Sequence, residues 1–465
     1  MNLQNDEIIN NLKSLGEKIY LVGGTIRDFY INPEKISLDK DIIVTSCPAI
    51  DFAKKLEQAF KGTLITLDEE NKIYRFIFED KINYVDITSP VGDSLNEDLS
   101  RRDFTINAIA LDLSNNEIID LFNGIEDIKN RKIRHISEKN FTDDSLRLLR
   151  AFRFKALTGF DIDNETTELI KKHSKLISKP AKERINYEIL KMFGGKYTDK
   201  AILNADKTGL IDIIFPAIPD VKKVPKNSHH HLDLFNHSVE TVKQVEILYE
   251  NSSPEVKEHL ERVDFGGNTR LAHLKLSAFL HDIGKFSTWT IDETGRHRFI
   301  MHDEVGEKLA KEFLKENKYS KKQIEYISEM VKKHIYPTSI AMGAVTDNGI
   351  NYKSYMKYIR KMGDNSIDAI ILAKADRLSA QGPEITEEMT KHNLECLDSL
   401  LNYYLSVRDT LTPLPKLLTG NEIMELLNIK PSRKLGEIIS KMEEAQISGD
   451  ITSKEDAVNF VSAFK

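Results

Sequence analysis

Two aspartates stand one residue apart in a short run that is otherwise apolar. Asp39 and Asp41 flank Lys40, and the apolar residues 42–44 follow. Because side chains alternate along a β-strand, both carboxylates point to the same face of the predicted strand. Like charges side by side repel each other, and burying them is costly unless something compensates. A divalent metal is the simplest compensation, since Mg²⁺ prefers carboxylate oxygens and keeps positions open for substrate phosphates.

A glycine pair precedes these aspartates at a predicted strand-to-helix turn, in VGGTIRD. Gly23 and Gly24 allow a phosphate to approach closely, and the helix N-terminus offers free N–H groups. Arg27, one turn into that helix, can reach the same phosphates. Asp86 supplies a third carboxylate in another apolar strand. Each feature alone is typical of an ordinary turn or surface, but three carboxylates on neighbouring strands can hold two metals for nucleotidyl transfer, with Asp39 and Asp41 as ligands.

The composition favours a soluble protein of several domains. The 465 residues predict three domains or more. A charged fraction of 30% and a mean hydropathy of -0.38 favour solubility, and no apolar run approaches the roughly 18 residues of a membrane span. The first twenty residues predict a polar amphipathic helix without a signal-peptide core. The two cysteines, Cys47 and Cys396, suit a reducing cytosol. We therefore expect a cytoplasmic protein with no membrane partner.

The pattern of the chain changes near residue 140. Before it, strands and helices alternate; after it, the pattern is helical almost throughout. A helix is predicted at 49–60, and the polar stretch 250–269 predicts a loop or insertion. The predicted strands lie in KIYLV, LDKDIIVT, TLITL, IYRFIFED, INYVDIT and FTINAIALDL. We divide the chain into 1–135 (mixed α/β), 136–228 (helical), 229–380 (helical and rich in histidine) and 381–465 (helical tail).

A local basic stretch lies inside this acidic chain. The net charge of -7 argues at first against a nucleic-acid partner, but net charge hides patches. A solvated helix face is the usual interpretation of such a stretch, and a track for an RNA backbone is the sharper one. The basic residues are Arg147, Arg150, Arg153, Lys155, Lys171, Lys172, Lys175, Lys179, Lys182, Arg184, Lys191 and Lys196.

The glycine turn and paired aspartates, followed by three further motifs, resemble the polymerase β-type nucleotidyltransferase superfamily. Within it, the motifs look like those of class II tRNA nucleotidyltransferases, the CCA-adding enzymes, a family that includes bacterial poly(A) polymerases. The motifs are DLSRRDFTINAIALDL (98–113), DLFNGIEDIKNRKIR (120–134) and DDSLRLLRAFRF (143–154), and the resemblance covers about residues 17–225. It implies an α/β head with a mixed sheet, then an all-α neck, body and tail, in an elongated multidomain chain.

The resemblance also implies roles for individual residues. Asp39 and Asp41 would hold Mg²⁺ and act in catalysis together with Asp86. Asp144 and Arg147, expected at i and i+3 of one helix, would read the incoming base, because a carboxylate and a guanidinium offer an acceptor and donors that match C or A. The implied nucleotide-binding residues are Gly23, Gly24, Arg27, Arg102, Asp103, Asn107, Asp144, Arg147, Arg150 and Arg153.

A second set of polar residues lies in the histidine-rich section. A single histidine on a helix is more often packed or exposed, but the adjacent pair His281–Asp282 in an apolar helix is less ordinary. Imidazole and carboxylate together suit a divalent transition metal. The order of these residues resembles the HD phosphohydrolase superfamily over about 230–380, which implies an ion such as Mn, Ni, Co or Fe. The implied ligands are His237, His281, Asp282 and Asp376, with His302 and His334 as those of two-metal members. The triple histidine 229–231 is given no role.

The segment between Asp86 and RRD bears on which nucleotide is added. Family members that add A carry a flexible loop there with arginine and glycine, whereas residues 87–100 contain no arginine and look short. The resemblance therefore favours an enzyme that adds CC to tRNA from CTP and leaves the A to a separate A-adding enzyme. Full CCA addition, which also uses ATP, stays open. Poly(A) polymerase is less favoured, because an HD domain is not expected with it. An HD hydrolase with an inactive head, or a non-catalytic tRNA-binding protein, would have little use for the head motifs.

Overall fold

A computed structural model describes residues 6–33, 39–347, 349–411 and 415–464. The chain forms two compact units, Met1–Pro216 and Ala217–Lys465. The first unit combines a sheet with helices, and the second is mostly helical, as the sequence pattern predicted. None of the helices in these described ranges is long and apolar enough to span a membrane.

The first unit is built on a mixed seven-stranded sheet with strand order β3-β4-β5-β2-β1-β6-β7. Strands β2 and β5 run parallel, and the other neighbouring pairs are antiparallel, which confirms the predicted mixed sheet. The strands are β1 Ile19–Val22, β2 Asp39–Val44, β3 Gly62–Asp68, β4 Ile73–Phe78, β5 Tyr84–Thr88, β6 Ile109–Asp112 and β7 Ile118–Asp120. The run FTINAIALDL is only partly a strand, because a 3₁₀ turn occupies Thr105–Asn107.

Helices cover this sheet and continue into a helical neck. We call α7–α11 the neck; its longest helix, α7, packs against α9 and α10. The strands β8 Lys132–Ile133 and β9 Asp161–Ile162 join the two parts as a short parallel pair. The helices are α1 Glu7–Ser14, α2 Gly24–Ile31, α3 Ala49–Ala59, α4 Leu95–Ser100, α5 Gly124–Lys129, α6 Glu138–Asp143, α7 Leu146–Thr158, α8 Asn164–His173, α9 Lys182–Phe193, α10 Thr198–Lys207 and α11 Leu210–Ile214.

Apolar burial explains why the central strands hold their place. All four residues of β1 are buried, as expected for a strand covered on both faces. The chain leaves β1 through Gly23, whose φ of 71° lies in the left-handed region that glycine tolerates, and enters α2 at once. The first turn of α2 is thereby fixed at the end of a buried strand, next to β2.

The second unit is a helical assembly around α13, α15, α18 and α21. The predicted loop at 250–269 contains helix α14, which begins with a proline. The helices are α12 Ile218–Val221, α13 Leu234–Glu250, α14 Pro254–Glu261, α15 Arg270–Leu280, α16 Lys285–Thr288, α17 His302–Glu316, α18 Lys321–Lys333, α19 Tyr336–Gly343, α20 Tyr352–Met362, α21 Ser366–Ser379, α22 Glu387–Val407, α23 Gly420–Leu427, α24 Arg433–Ser448 and α25 Lys454–Ser462. Two short hairpins join them, β10 Trp289–Ile291 with β11 His297–Phe299, and β12 Val345–Thr346 with β13 Gly349–Ile350. The last three helices share a core of their own around Ile423, Ile438 and Val461.

Candidate functional sites

A cavity of about 490 Å³ opens in the first unit where the glycine turn faces the neck. All ten predicted nucleotide-binding residues line it, and so does Asp41. Leu146, Phe154, Leu157 and Arg184 complete the lining. The structure therefore brings residues that are far apart in the sequence, such as Gly23 and Arg184, to the wall of one cavity.

The glycine turn lies against charged side chains. A Cβ atom at Gly23 would stand 3.1 Å from Nη1 of Arg102 and 3.3 Å from Oδ2 of Asp41, so a side chain there would crowd both groups. Arg27, on the first turn of α2, donates from Nη1 to Oδ1 of Asn107 at 2.8 Å. Backbone N–H groups, two guanidinium groups and a carboxylate thus meet at the N-terminus of a helix, where a phosphate group is favoured.

The three predicted carboxylates do not occupy equivalent positions. Asp41 lies directly across from Asp86 in the parallel pair of β2 and β5. The carboxylate of Asp86, however, is bound at both oxygens by Arg75 on β4, with two contacts of 2.7 Å. Asp86 is absent from the described lining of the cavity, and its charge is already neutralised. Asp39 pairs with Tyr84 through its backbone, and its side chain lies outside the described part of the chain.

A buried ionic network supports the neck side of the cavity. Asp103 is 4% exposed and accepts from Nε of Arg150 at 2.7 Å and from Asn107 at 2.8 Å. Burial opposes its charge, yet Arg150 and Asn107 hold the pKa of Asp103 down at about 2. Glu188 on α9, which the sequence analysis missed, lies 3.0 Å from Arg153 and 3.5 Å from Arg150. Arg150 and Arg153 are thus fixed by carboxylates rather than free to move in solvent.

Asp144 and Arg147, which are predicted to read the base, are arranged differently from the expectation of one shared helix. Asp144 and Arg147 do not share one helix, because α6 ends at Asp143 and Asp144 is extended, with φ -138°. The Asp144 carboxylate instead pairs with Arg184 at 3.0 Å, and Arg147 donates to the backbone oxygen of Asn140 at 2.9 Å. Burial lowers the pKa of Arg147. Arg184, which the sequence indicated only as part of the basic stretch, is therefore a third polar group on this wall.

The six predicted metal ligands of the second unit form two groups that share Asp282. In the first group, Nε2 of His237 lies 3.2 Å from Asp376 and 3.4 Å from Oδ2 of Asp282, and Nε2 of His281 lies 3.2 Å from that same oxygen. In the second group, Oδ1 of Asp282 lies 3.5 Å from His302 and 3.6 Å from His334. One aspartate, 1% exposed, thus faces both groups with different oxygens.

The environment of these side chains fits divalent metal ions. Three of the histidines place Nδ1 within 2.9 Å of a backbone oxygen of the preceding turn, which leaves Nε2 directed at Asp282; they are His281, His302 and His334. This is the arrangement that metal-bound histidines usually have. Burial opposes charge on His281, but Asp282 and Asp376 raise its pKa to about 10. Burial lowers the pKa of His334 to about 4. Buried acids and imidazoles at these separations form a donor set suited to a transition metal.

Two further residues lie beside the first group. Lys285, three residues after Asp282, places Nζ 2.5 Å from Oδ2 of Asp282. His230, from the triple histidine, contacts His237 edge to face, with ring centroids 4.4 Å apart. Burial and the nearby Lys285 lower the pKa of His230 to about 2. No sequence pattern indicates a role for His230, because its position depends on the fold of a loop.

The fold and the two sites define a nucleotidyltransferase head with a helical neck, followed by an HD domain. Matches to family models agree with this division: the poly A polymerase head domain at residues 19–134, the probable RNA and SrmB-binding site of polymerase A at 159–221, and the HD domain at 234–381. The chain belongs to the tRNA nucleotidyltransferase family that contains the CCA-adding enzymes and poly(A) polymerases, and it is an enzyme of this type.

Relatives of similar length carry different names. The chain is 27% identical over 450 residues to the A-adding tRNA nucleotidyltransferase of Deinococcus radiodurans, covering 95% of this chain and 94% of that protein. It is 26% identical over 449 residues to the CC-adding tRNA nucleotidyltransferase of Thermus thermophilus, covering 95% and 92%. Its fold is similar to that of a CCA-adding enzyme solved with CTP, with a TM-score of 0.59, 21% identity and coverage of 99% and 96%.

Proposed function

We propose that this enzyme matures the 3′ end of tRNA by adding CMP from CTP without a nucleic-acid template. The observation that carries the proposal is the single cavity that joins the glycine turn, Asp41 and the arginine-rich neck. One end of this cavity suits a triphosphate, and the other offers a carboxylate and guanidinium groups to a base. The CC-adding and A-adding relatives, which match almost the whole chain, support tRNA as the RNA substrate.

The residues of the cavity divide the chemistry among them. Backbone N–H groups at the start of α2 and the side chains of Arg27 and Arg102 bind and orient the triphosphate. Asp39 and Asp41 would hold Mg²⁺, which supplies positive charge to the attacking 3′-hydroxyl and to the leaving pyrophosphate. Both oxygens of Asp103 already accept hydrogen bonds, one from Arg150 and one from Asn107. The role of Asp103 is therefore to orient those two side chains.

Base selection is assigned to the wall made by Asp144, Arg147 and Arg184. Asp144 accepts hydrogen bonds and Arg147 donates them, so together they can match the edge of cytosine. The contact between Arg184 and Asp144 holds the carboxylate in place from the opposite helix. Arg184 thus acts as a positioning residue for the group that reads the base.

Asp144→Ala and Arg147→Ala are each expected to reduce the preference for CTP over UTP by about 10- to 100-fold, since a site built to hydrogen-bond one base loses discrimination with that group. Arg184→Ala should reduce it less, because it only orients Asp144. The ratio of kcat/KM for CTP and UTP measures the effect, and Lys182→Ala, on the same helix but outside the cavity, serves as the control. An unchanged ratio in all three variants would remove this wall from base selection.

The short segment after β5 supports CC addition. Residues 89–94 connect Thr88 to α4 and contain no arginine. The backbone N–H of Val91 donates to Asp98 at 3.2 Å and that of Asp93 to Glu97 at 2.6 Å, so the segment is tied to the helix that follows. A short segment that is hydrogen-bonded to the next helix is poorly suited to moving Asp144 and Arg147 from recognition of C to recognition of A. We therefore favour CC addition, with the terminal A left to a separate A-adding enzyme; full CCA addition and A addition, for which relatives are named, are the alternatives.

The test uses three tRNAs, which end before the first C, after C and after CC, and gives CTP and ATP separately and together. We expect two CMP additions to the first tRNA and no AMP addition to the tRNA that ends in CC. The reason is the segment 89–94, whose contacts with α4 make it poorly suited to changing the wall of Asp144 and Arg147 from C to A. Product length on a sequencing gel is the measurement. AMP addition to the tRNA ending in CC would establish a CCA- or A-adding enzyme, and long AMP tails on any RNA would establish a poly(A) polymerase.

For the second unit, we propose an HD phosphohydrolase site. His237, His281, Asp282 and Asp376 would hold one divalent ion, and Asp282, His302 and His334 a second. Mn²⁺, Ni²⁺, Co²⁺ and Fe²⁺ all suit imidazole and carboxylate ligands. Such ions supply a water molecule acidic enough to attack a phosphoester near neutral pH. These six side chains would hold the ions, and backbone oxygens behind Nδ1 fix the direction of His281, His302 and His334.

A further inference from the structure

The loop 227–231 of the second unit carries the triple histidine and is held in place by hydrogen bonds. The side chain of Asn227 accepts from the backbone N–H of His229 at 2.9 Å and of His230 at 3.1 Å. The backbone N–H of Gly382, just after α21, donates to the backbone oxygen of His229 at 2.8 Å. A Cβ atom at Gly382 would stand 2.3 Å from the carbonyl carbon of His229. Only glycine at position 382 leaves room for the loop to pack in this position. In this position the ring of His230 contacts the ring of His237.

Lys285 has two acceptors within reach. Its Nζ lies 2.5 Å from Oδ2 of Asp282 and 3.4 Å from Nε2 of His230. The lysine side chain is 10% exposed, so its ammonium group has little access to water. Oδ2 of Asp282 is also the oxygen that faces His237 and His281. An ammonium group on that oxygen and a metal ion in the first group would repel each other, because both carry positive charge.

A metal ion taking Asp282 would therefore displace Lys285 from its carboxylate. A buried ammonium that loses its acceptor without finding another carries a large free-energy cost. A neutral imidazole keeps one unprotonated nitrogen that can accept. His230 offers that nitrogen, Nε2, at 3.4 Å from Nζ of Lys285. The ring of Phe299, with its centroid 5.4 Å from Nζ, is a second favourable surface on the same side.

We propose that His230 is the alternative acceptor for Lys285, and that it thereby sets how tightly the first metal group binds its ion. The lysine pairs with Asp282 when the group is empty and with His230 when the ion is bound. His230 is a positioning residue in this scheme, since it acts on the ion through Lys285. The proposal rests on the HD site proposed above and adds to it a competition between an internal cation and the metal.

Titration of Co²⁺ into metal-stripped full-length protein tests this competition, because the visible absorption of Co²⁺ reports nitrogen ligands. His230→Phe keeps a ring against His237 but removes the acceptor, and is expected to weaken Co²⁺ binding about 10-fold, the equivalent of one buried hydrogen bond. His230→Gln, which keeps an acceptor oxygen, should bind within about 3-fold of the wild type. Lys285→Met should bind Co²⁺ more tightly than the wild type, because the ammonium group that competes for Asp282 is gone.

The double variant His230→Phe with Lys285→Met separates the proposed role from simple packing. Without the lysine the lost acceptor has no consequence, so the double variant should bind Co²⁺ as Lys285→Met does. If it stays as weak as His230→Phe, or if His230→Phe binds like the wild type, the competition does not exist although the metal site does. If the wild type gives no Co²⁺ bands at all, the HD site itself is refuted. Thermal melting by circular dichroism checks the fold; if His230→Phe is unfolded, equal Co²⁺ affinity of the wild type and Lys285→Met overturns the proposal.

Discussion

Asp41→Asn is expected to lower the rate of nucleotide addition by about 10³-fold or more while the affinity for RNA changes little. The carboxylate of Asp41 lines the cavity beside the glycine turn, where its Oδ2 would lie 3.3 Å from a Cβ atom at Gly23. Asparagine keeps the shape but removes the charge that binding of Mg²⁺ requires. The RNA would still meet the exposed basic residues of the neck, which do not depend on Asp41.

Single-turnover addition of CMP to tRNA measures the chemical step, and a filter-binding assay measures RNA affinity. Asp39→Asn should behave in the same way, because the sequence pattern predicts that Asp39 and Asp41 hold the metal together. Asp51→Asn, at an exposed position of the same unit, is the matched control and should keep its full rate. Persisting addition in Asp41→Asn, or an equal loss of RNA binding, would contradict the assignment.

The glycine turn and paired aspartates could be predicted from the sequence because their signal is local. A strand-to-helix turn needs glycine at a positive φ, and Gly23 has φ 71°. The strands could be predicted because they are short apolar runs between turn residues, whereas the mixed sheet was implied by the resemblance to a known family. The resemblance to a family then supplied the neck residues, since no local pattern links Asp144 to Gly24. The order of the strands, by contrast, came only from the structure.

Contacts between distant segments explain which features of the candidate site could not be predicted from the sequence. The sequence predicts that Asp86 acts in catalysis with Asp39 and Asp41, but it does not reveal that β4 lies beside β5 and brings Arg75 onto the Asp86 carboxylate. Glu188 and Arg184 lie on α9, and their partners are on or just before α7. The basic stretch was interpreted as either a solvated face or an RNA track. The structure adds that Arg150 and Arg153 line the cavity and pair with carboxylates.

In the second unit, chain order indicated which residues could bind metal but not how they share it. Asp282 serves both groups because it follows α15 directly, with one oxygen toward α13 and the other toward α17 and α18. Such sharing depends on the crossing of four helices, which no spacing in the sequence reveals. The same packing explains why His230, seven residues before His237, belongs to the site although nothing in the motif requires it.

Asp282→Asn is expected to lower the rate of phosphoester hydrolysis by about 10³-fold or more. The rate of nucleotide addition should stay within about twofold of the wild type. Both metal groups lose an oxygen with this one substitution, because Asp282 contributes to each. An amide cannot supply the negative charge that offsets a divalent ion among imidazoles, so metal content should fall as well as activity. The cavity for nucleotide addition draws all its described lining from the other unit of the chain, so its chemistry does not need this carboxylate.

Metal content after dialysis against Mn²⁺, Ni²⁺ or Co²⁺ and hydrolysis of 2′,3′-cyclic nucleotides and nitrophenyl phosphate give two independent measurements. Asp347→Asn changes an exposed carboxylate of the same unit that belongs to neither group, and should alter neither result. His334→Ala distinguishes the groups further: it removes a ligand of the second group only, so one ion should remain where Asp282→Asn retains none. If Asp282→Asn stays folded but loses nucleotide addition, the two sites are coupled. If the wild type binds each metal yet hydrolyses none of these esters, the cluster holds its ions for the stability of the helices, and removing them should then lower the melting temperature.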